Sequence, residues 1–203
     1  MALDTFANLK TAIADTLDRD DLTGNIPDFI RLAESRHRRD LRIREMIVRE
    51  SLTVNSRNIA LPAGFLQPVG GIRLLTNRVR ILNSVGQRKL NSYYKQESGK
   101  PQYYYIGNDI EFDVQPDSPY SGELTFYKEV TPLSDSNTSN SILANYPDAY
   151  LYASLAASAP FLMDDPRIVT WNAFYQDTVQ GANTISKRRA GGKLASSIVG
   201  ATP

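Results

Sequence analysis

The stretch NYPDAYLYASLAASAPFLMDD, residues 145–165, decides the fold because it combines two kinds of helix face. Leucines mark one side and alanines the other: Leu151, Leu155 and Leu162 against Ala149, Ala153 and Ala156. Leucines bury themselves in their own bundle, whereas alanines let a second helix approach closely, from the same subunit or from the next. The stretch therefore predicts a packing helix and not a helix that carries catalytic groups.

Two more helices are predicted near the N-terminus and one near the C-terminus. Apolar residues recur at helical spacing in the first of them: Phe6, Leu9, Ile13 and Leu17. The second begins near Pro27 and extends to about Met46, and the last begins at Pro166 and carries an apolar stripe to Ile185. One amphipathic helix cannot bury its stripe alone, so the helices are expected to pack together. The predicted helical bundle domain comprises residues 1–46 and 146–188.

Between these helices the apolar period changes to two, which is typical of strands with one buried face. The segment QYYYIGNDIEFDV, residues 102–114, predicts a hairpin in which Gly107 and Asn108 take positive φ angles. The polar stretch TPLSDSNTSNS, residues 131–141, predicts a loop. We therefore expect an inserted antiparallel β domain at residues 47–145, within an α+β fold.

Composition excludes several classes of protein. The 203 residues include no cysteine, so disulfides, thiol chemistry and cysteine metal sites are excluded. The formal net charge of +1 is not that of a strongly basic nucleic-acid-binding protein. The N-terminus lacks the pattern of a secretion signal, and the longest apolar runs are too short to cross a bilayer. We expect a soluble protein of the cytoplasm that makes no membrane contact.

Candidate catalytic groups are few. His37 is the single histidine, and its place on an apolar helix stripe favours a packed histidine over a general base. Asp109, Glu111 and Asp113 alternate along a strand and would point to one face, as oxygen ligands of a hard cation do. With apolar residues between them, they also fit the solvent-exposed face of a half-buried strand, and we favour that interpretation. No set of residues predicts an enzyme, a cofactor site or a metal site.

Two surfaces could contact nucleic acid or another protein. The segment RHRRDLRIRE, residues 36–45, is rich in arginine, but its carboxylates stand at helical ion-pair spacing, which favours a solvated or intersubunit face. We assign Arg38 and Arg42 to intersubunit packing, together with the alanine face. Tyrosines cluster in the strands and suit either base stacking or a protein interface: Tyr93, Tyr94, Tyr103, Tyr104 and Tyr105.

Charge is unevenly distributed at the C-terminus. No acidic residue follows Asp177, whereas the last segment carries four basic ones: Lys187, Arg188, Arg189 and Lys193. Adjacent glycines and many small residues continue from there without helical periodicity. Residues 189–203 therefore predict an extended, flexible C-terminal arm.

Two segments resemble a known family. YPDAYLYASLAASAPFLMDDPRIVTWNAFYQDTV, residues 146–179, resembles the C-terminal helical pair of head-to-tail adaptors of short-tailed bacteriophages, the tail tubular protein A type. DLTGNIPDFIRLAESRHRRDLRIREM, residues 21–46, is similar to the N-terminal helix of that family. The resemblance implies a structural virion protein, assembled in the host cytoplasm into a ring, commonly of twelve subunits. The ring would join the portal to tail nozzle or tail fibre proteins and continue the DNA channel.

The family's C-terminal arm reaches the portal, and by resemblance this role falls on Arg188, Arg189, Lys193, Leu194, Ile198 and Val199. Implied partners are the portal, the tail proteins, further copies of the chain, and the passing genome without sequence specificity. Two alternatives stay open. One is a nucleic-acid-binding module, and the other is a carbohydrate-binding or hydrolytic tail component that uses the face of Asp109, Glu111 and Asp113.

Overall fold

The computed structural model describes residues 3–162 and 165–189. The chain divides into two compact units, one formed by Met1–Glu45 with Thr131–Pro203 and the other by Met46–Val130. The first unit is helical and the second is mostly strand, which confirms the predicted α+β fold. No helix in the described ranges is long and apolar enough to span a bilayer.

Six α-helices are present in the described residues: α1 (Phe6–Leu17), α2 (Ile26–Asp40), α3 (Gln87–Tyr93), α4 (Ser141–Asn145), α5 (Pro147–Ala157) and α6 (Arg167–Arg189). All except α3 belong to the helical unit. At the start of α1 the Thr5 hydroxyl accepts the Asn8 N–H at 3.2 Å, which satisfies one of the free donors of the first turn. At its end Asp18 takes the left-handed conformation, with φ 54°.

Helix α2 ends at Asp40, about one and a half turns before the predicted end near Met46. The reason lies in α6, whose side chains bind the backbone beyond this point. Asn183 donates to the Asp40 carbonyl at 2.8 Å and accepts the Arg42 N–H at 2.7 Å. Ser186 accepts the Arg44 N–H at 3.1 Å. With these backbone groups bound by α6, the chain leaves the helix.

Helix α5 is the central element of the helical unit. It contacts α1, α2, α4 and α6, so its buried residues form the middle of the core. The fully buried partners around it come from both ends of the chain: Leu9, Ile13, Phe29, Ile30, Ala33 and Tyr175. Burial of apolar area on this scale is the main stabilising term of a bundle.

The segment that precedes α5 lies with the helices and not with the strands, which moves the predicted boundary of the insertion from residue 145 to residue 130. The carboxylate of Glu34 in α2 accepts the Leu133 N–H at 2.6 Å, and the Thr138 carbonyl accepts the Phe6 N–H at 2.7 Å. The Asn140 side chain caps α4 by accepting the Leu143 N–H at 3.0 Å. The predicted loop is therefore tied to the helical unit by hydrogen bonds.

The second unit contains eleven strands: β1 (Ile47–Val54), β2 (Asn58–Ala60), β3 (Phe65–Pro68), β4 (Arg73–Leu74), β5 (Arg80–Ile81), β6 (Asn83–Ser84), β7 (Lys95–Gly99), β8 (Tyr103–Ile106), β9 (Asp109–Phe112), β10 (Val114–Pro116) and β11 (Tyr120–Lys128). One sheet has the order β1-β11-β4-β5, with β3 also paired to β11, and a second has the order β2-β9-β8-β6. Strands β7 and β10 form a separate pair. Most pairs are antiparallel as predicted, but β6–β8 and β7–β10 are parallel.

The longest pairing joins the two ends of the β unit. Strand β1 runs antiparallel to β11 in continuous register from Ile47 opposite Tyr127 to Val54 opposite Tyr120. Successive side chains point to opposite faces of the sheet, so the side chains of one face together form the core of the β unit. That core is formed by Val54, Ile72, Leu74, Leu82, Tyr104, Ile110, Phe112, Leu124 and Phe126.

The predicted hairpin is confirmed, since β8 pairs with β9 and places Ile106 opposite Ile110. Its predicted turn conformation is wrong. Among the described residues only Asp18 and Gly64 have positive φ, so Gly107 and Asn108 turn without it. The Gly107 N–H donates instead to the Asp109 carbonyl at 2.9 Å, which closes the turn.

We expect Gly64→Ala to destabilise the protein by about 1 kcal/mol, because Gly64 has φ +71° and a side chain in that region meets its own backbone. The space itself is adequate, since an added Cβ would lie 3.4 Å from Lys128 Cγ. The matched control is Gly70→Ala, where φ is not positive and no atom lies within 4 Å of the added Cβ. Urea unfolding measures both, and equal free energies of unfolding for the two variants would contradict the expectation.

Candidate interaction surfaces

The small-residue face of α5 is used inside the chain. Ala149 and Ala153 are 0% and 1% exposed, and α5 packs against α2 and α6 of the same helical unit. The predicted intersubunit role is therefore wrong for these two alanines, because no surface of theirs is left for a second copy. Ala156 is half-buried and keeps an accessible edge.

The two arginines predicted at a subunit interface have different surroundings. Arg38 is exposed near the end of α2, whereas Arg42 is half-buried. The Arg42 guanidinium donates to the carbonyl oxygens of Arg38 at 3.0 Å and Leu41 at 2.6 Å. These are carbonyls left free at a helix end, so Arg42 caps α2.

Arg36 and Asp40 of this segment also have partners within the helical unit. Arg36 donates to the Asn172 side chain at 2.9 Å and lies 4.0 Å from the centre of the Tyr175 ring. Asp40 accepts from the Tyr175 hydroxyl at 3.0 Å and lies 3.7 Å from Arg36. Asp40 and Arg44 stand at the spacing of a helical ion pair in the sequence, but they do not pair, because the helix has ended between them. The arginine-rich segment thus ties α2 to α6.

His37 is a packed histidine, as its place on the apolar stripe indicates. Its side chain is 2% exposed, and its Nε2 lies 3.3 Å from the Ala149 carbonyl oxygen, to which it donates in the neutral form. The Tyr150 ring meets it edge-on at 4.6 Å, and the Tyr175 ring stacks at 6.0 Å. Burial lowers the pKa of His37 from 6.5 to about 4. The imidazole is therefore neutral near pH 7.

Among the described residues, His37 lacks the partners of a catalytic histidine. Within that part of the chain, Nδ1 of His37 and the hydroxyl oxygen of Ser154 in α5 are both buried without a hydrogen-bond partner, so no carboxylate orients the imidazole and no base activates the serine. The nearby Tyr150 hydroxyl donates to Glu34 at 3.2 Å and accepts from Asn140 at 2.8 Å. Burial raises the pKa of Tyr150. Its hydroxyl therefore stays protonated and links α5 to α2.

Of the three carboxylates predicted to share a solvent face, Asp109 and Glu111 lie on one face of β9, and Asp113 does not join them. Asp113 is 4% exposed, and one of its oxygens accepts the N–H groups of Gln102 at 3.0 Å and Tyr103 at 3.1 Å. Glu111 pairs with Arg57 at 2.6 Å, and Asp109 accepts from Asn58 at 2.7 Å. Asp113 leaves the alternation because it follows the last residue of β9.

Within the described part of the chain, no group of three or more histidine or acidic residues could hold a metal ion.

The tyrosines mostly contact one another or the protein. Tyr104 is buried in the core, and the rings of Tyr93 and Tyr103 stack at 4.5 Å. The Arg57 guanidinium lies 4.0 Å from the centre of the Tyr94 ring. Most of these rings are thus engaged within the β unit.

The predicted portal-binding arm lies largely outside the described residues. Helix α6 continues to Arg189, so Arg188 and the backbone of Arg189 belong to the last turn of a helix and not to an arm. Arg188 is exposed, and positive charge at a helix C-terminus interacts favourably with the helix dipole. Lys193, Leu194, Ile198 and Val199 lie beyond the described residues.

We expect protonation of His37 to destabilise the helical unit. Between pH 6.5 and about 4 the unfolded chain binds a proton that the folded chain does not, so stability present above pH 6.5 is lost as the pH falls. The loss is at most about 3.5 kcal/mol, at roughly 1.4 kcal/mol for each pKa unit between 6.5 and about 4. Urea unfolding across this range, in the unmodified protein and in His37→Phe, isolates the effect because all carboxylates are common to both. A difference between the two that does not vary with pH would contradict this origin.

Comparison with known proteins gives the family. A family model described as SU10 adaptor protein matches residues 4–197. A search of the curated proteins finds no match. The match is consistent with phage head-to-tail adaptors, which have a structural role in the virion and associate with other head and tail proteins. Because the match covers nearly the whole chain, the resemblance seen in the sequence is confirmed, and the chain belongs to the SU10 adaptor protein family.

Proposed function

We propose that the protein forms a ring at the head–tail junction, of twelve subunits by analogy with the adaptors it resembles. The ring joins the portal to tail nozzle or tail fibre proteins and continues the DNA channel. The observation that carries this proposal is the family match over residues 4–197. The structure is compatible with a purely structural role, since the buried polar groups of the helical unit bind one another and serve packing.

A ring needs a subunit surface that the chain itself does not cover, and the outer face of α6 provides one. Phe174 and Ile185 are 48% and 41% exposed, although they are large and apolar. Successive helical residues rotate by about 100°, so Phe174, Gly181 and Ile185 lie within about 40° of one another. This face, defined by these three residues, is proposed to pack on a second copy.

Gly181 supports that assignment. It stands in the middle of a 23-residue helix, where glycine costs about 1 kcal/mol relative to alanine. No atom of the described chain lies within 4 Å of a Cβ built on it, so packing within the chain does not require glycine here. A close approach by another backbone would require it, as at small-residue contacts between helices. Ala156 and Arg38, which also keep accessible surface, are proposed to lie at the same kind of interface.

The contact with the portal is proposed to involve the end of α6 and the residues that follow it. Lys187 and Arg188 are exposed on the last turn, where they add to the positive charge of the C-terminal segment. Acidic portal surface would attract these groups, and the apolar Leu194, Ile198 and Val199 would fill pockets.

The proposal is tested by mixing the purified protein with the cognate portal, with and without residues 189–203, and imaging the mixture by electron microscopy. Full-length protein is expected to add a ring to the portal, and the truncated protein is expected to bind much less. Failure of the full-length protein to join the portal would overturn the proposed function. Equal binding by the truncated form would remove only the role of the arm. A monomeric state of the free protein tests neither the proposed function nor the role of the arm, because ring assembly can wait until the subunits bind the portal.

Gly181→Ala separates the subunit contact from folding. We expect it to raise the free energy of unfolding of the free chain by about 0.5–1 kcal/mol, since it removes glycine from a helix interior. The same methyl group is expected to reduce the fraction of portals that carry a ring. The matched control, Gln180→Ala, changes an exposed residue on another side of α6 and should leave ring formation unchanged. Rings formed by Gly181→Ala as often as by the unmodified protein would exclude this face from the interface.

A further inference from the structure

Positive charge is concentrated in one part of the β unit, although the protein as a whole is nearly neutral. Residues 75–108 contain six basic residues and a single acidic one, Glu97, whereas the complete chain has a net charge of only +1. The basic residues are Arg78, Arg80, Arg88, Lys89, Lys95 and Lys100. Such a local excess attracts polyanions even when the net charge does not.

Three of these residues line one open groove. The groove has a volume of about 840 Å³ and lies between the loop that joins β4 to β5 and the start of β11. Arg78, Arg80 and Lys100 are among its lining residues, and no carboxylate is. Uncharged hydrogen-bonding groups complete the wall, among them Asn77, Ser118 and Ser121. We call this surface the cationic groove.

Among the described residues, the side chains of Arg78, in the loop before β5, and of Arg80, in β5, have no partner within the protein. Arg73, on the neighbouring strand, lies 3.6 Å from Glu123, and Arg49 lies 4.0 Å from the same carboxylate. In the part of the chain that the structure describes, the guanidinium groups of Arg78 and Arg80 form neither an ion pair nor a hydrogen bond. Both side chains are exposed. Their charge is therefore fully available to a ligand.

The groove is also held in place. The Lys100 ammonium donates to the Thr76 hydroxyl oxygen at 3.1 Å, and the Thr76 hydroxyl donates to the Arg78 carbonyl at 2.7 Å. This chain of bonds ties Lys100 to the loop that carries Arg78. One carboxylate, Asp117, is close by, but it accepts from the Tyr120 hydroxyl at 2.5 Å. Lys100 and the backbone that carries Arg78 are thus positioned before any ligand arrives, which lowers part of the entropic cost of binding.

We propose that the cationic groove binds the sugar–phosphate backbone of double-stranded DNA. Arginine forks and lysine ammonium groups bind phosphate oxygens, and the neutral hydroxyl and amide groups beside them add hydrogen bonds of the kind made to nucleic-acid backbones. An open groove of this volume fits an exposed polyanion better than a small enclosed anion. The groove offers only three cations and no group positioned for base-specific contacts. Binding is therefore weak and without sequence preference, as a moving duplex requires.

This inference rests on the proposed function in one respect, because it names the surface of the ring that the genome meets. Its test is independent of ring formation. Binding of the full-length protein to a short mixed-sequence DNA duplex is measured by fluorescence anisotropy at several salt concentrations. The variant is Arg78→Gln with Arg80→Gln. The control is Arg19→Gln with Arg31→Gln, which removes the same charge from arginines already paired to Asp21 and Asp28.

We expect the unmodified protein to bind the duplex at low salt and to release it as salt rises. Loss of two phosphate contacts should weaken binding about tenfold or more and reduce the slope of log affinity against log salt by about 2. The control should bind like the unmodified protein. Both variants should still form rings on the portal, so a loss of DNA binding is separable from a failure of assembly.

Three results would overturn the inference. The first is no duplex binding at low salt by the unmodified protein. The second is equal loss in the variant and the control, which would indicate a general charge effect. The third is tighter binding to polyglutamate than to DNA, lost on Arg78→Gln with Arg80→Gln, which would make the occupant an acidic protein segment. Failure of the unmodified protein to join the portal would instead count against the proposed function alone.

Discussion

The close contact of α5 with α2 and α6 is the constraint on which the helical unit depends. Ala149 and Ala153 have no accessible surface, and the Ala149 carbonyl lies within hydrogen-bonding distance of the His37 ring. A larger side chain at either alanine would push a neighbouring helix outwards, because protein interiors have no free volume to absorb it. The contact also joins segments more than 100 residues apart in the chain, with the complete β unit between them in sequence. Packing at α5 thus brings together the segments that precede and follow the inserted β unit in the sequence.

Polar clamps convert this apolar contact into one defined arrangement. Asn183 binds the backbone on both sides of the end of α2, and Glu34 holds a backbone N–H of the 131–140 loop together with the Tyr150 hydroxyl. Each clamp has fixed donors and acceptors, so a shifted helix would leave buried polar groups without partners. The apolar surfaces supply most of the favourable free energy of folding. The hydrogen bonds of Asn183 and Glu34 make one alignment of the helices more stable than the others.

The spacing of apolar residues predicted the helices and strands that depend on local sequence. It failed where side chains distant in the sequence determine the end of an element or the direction of a side chain. Helix α1 and the β8–β9 hairpin follow from spacing alone. The end of α2 could not be predicted, because it is set by residues about 140 positions later in the chain. The alternation of Asp109, Glu111 and Asp113 predicted one solvent face, but Asp113 is drawn inwards by two backbone N–H groups. The alanine stripe was correctly identified as a packing surface, yet sequence offers no means of telling a neighbour in the same chain from one in the next.

The residues best suited to bind partners are those whose side-chain type is not explained by any contact within the chain. Ala149 and Gly181 are both small residues on helices, but only the first is explained by contacts within the chain. Arg73 and Arg80 are both arginines of one sheet, but only the first has a carboxylate beside it. A structural adaptor works through its surfaces and not through a reactive centre. Its function is therefore indicated by small residues that no internal contact explains and by unpaired charges, and not by perturbed pKa values. By that criterion the outer face of α6 and the cationic groove are the surfaces that we propose to be functional, whereas His37, despite the large shift of its pKa, belongs to the core.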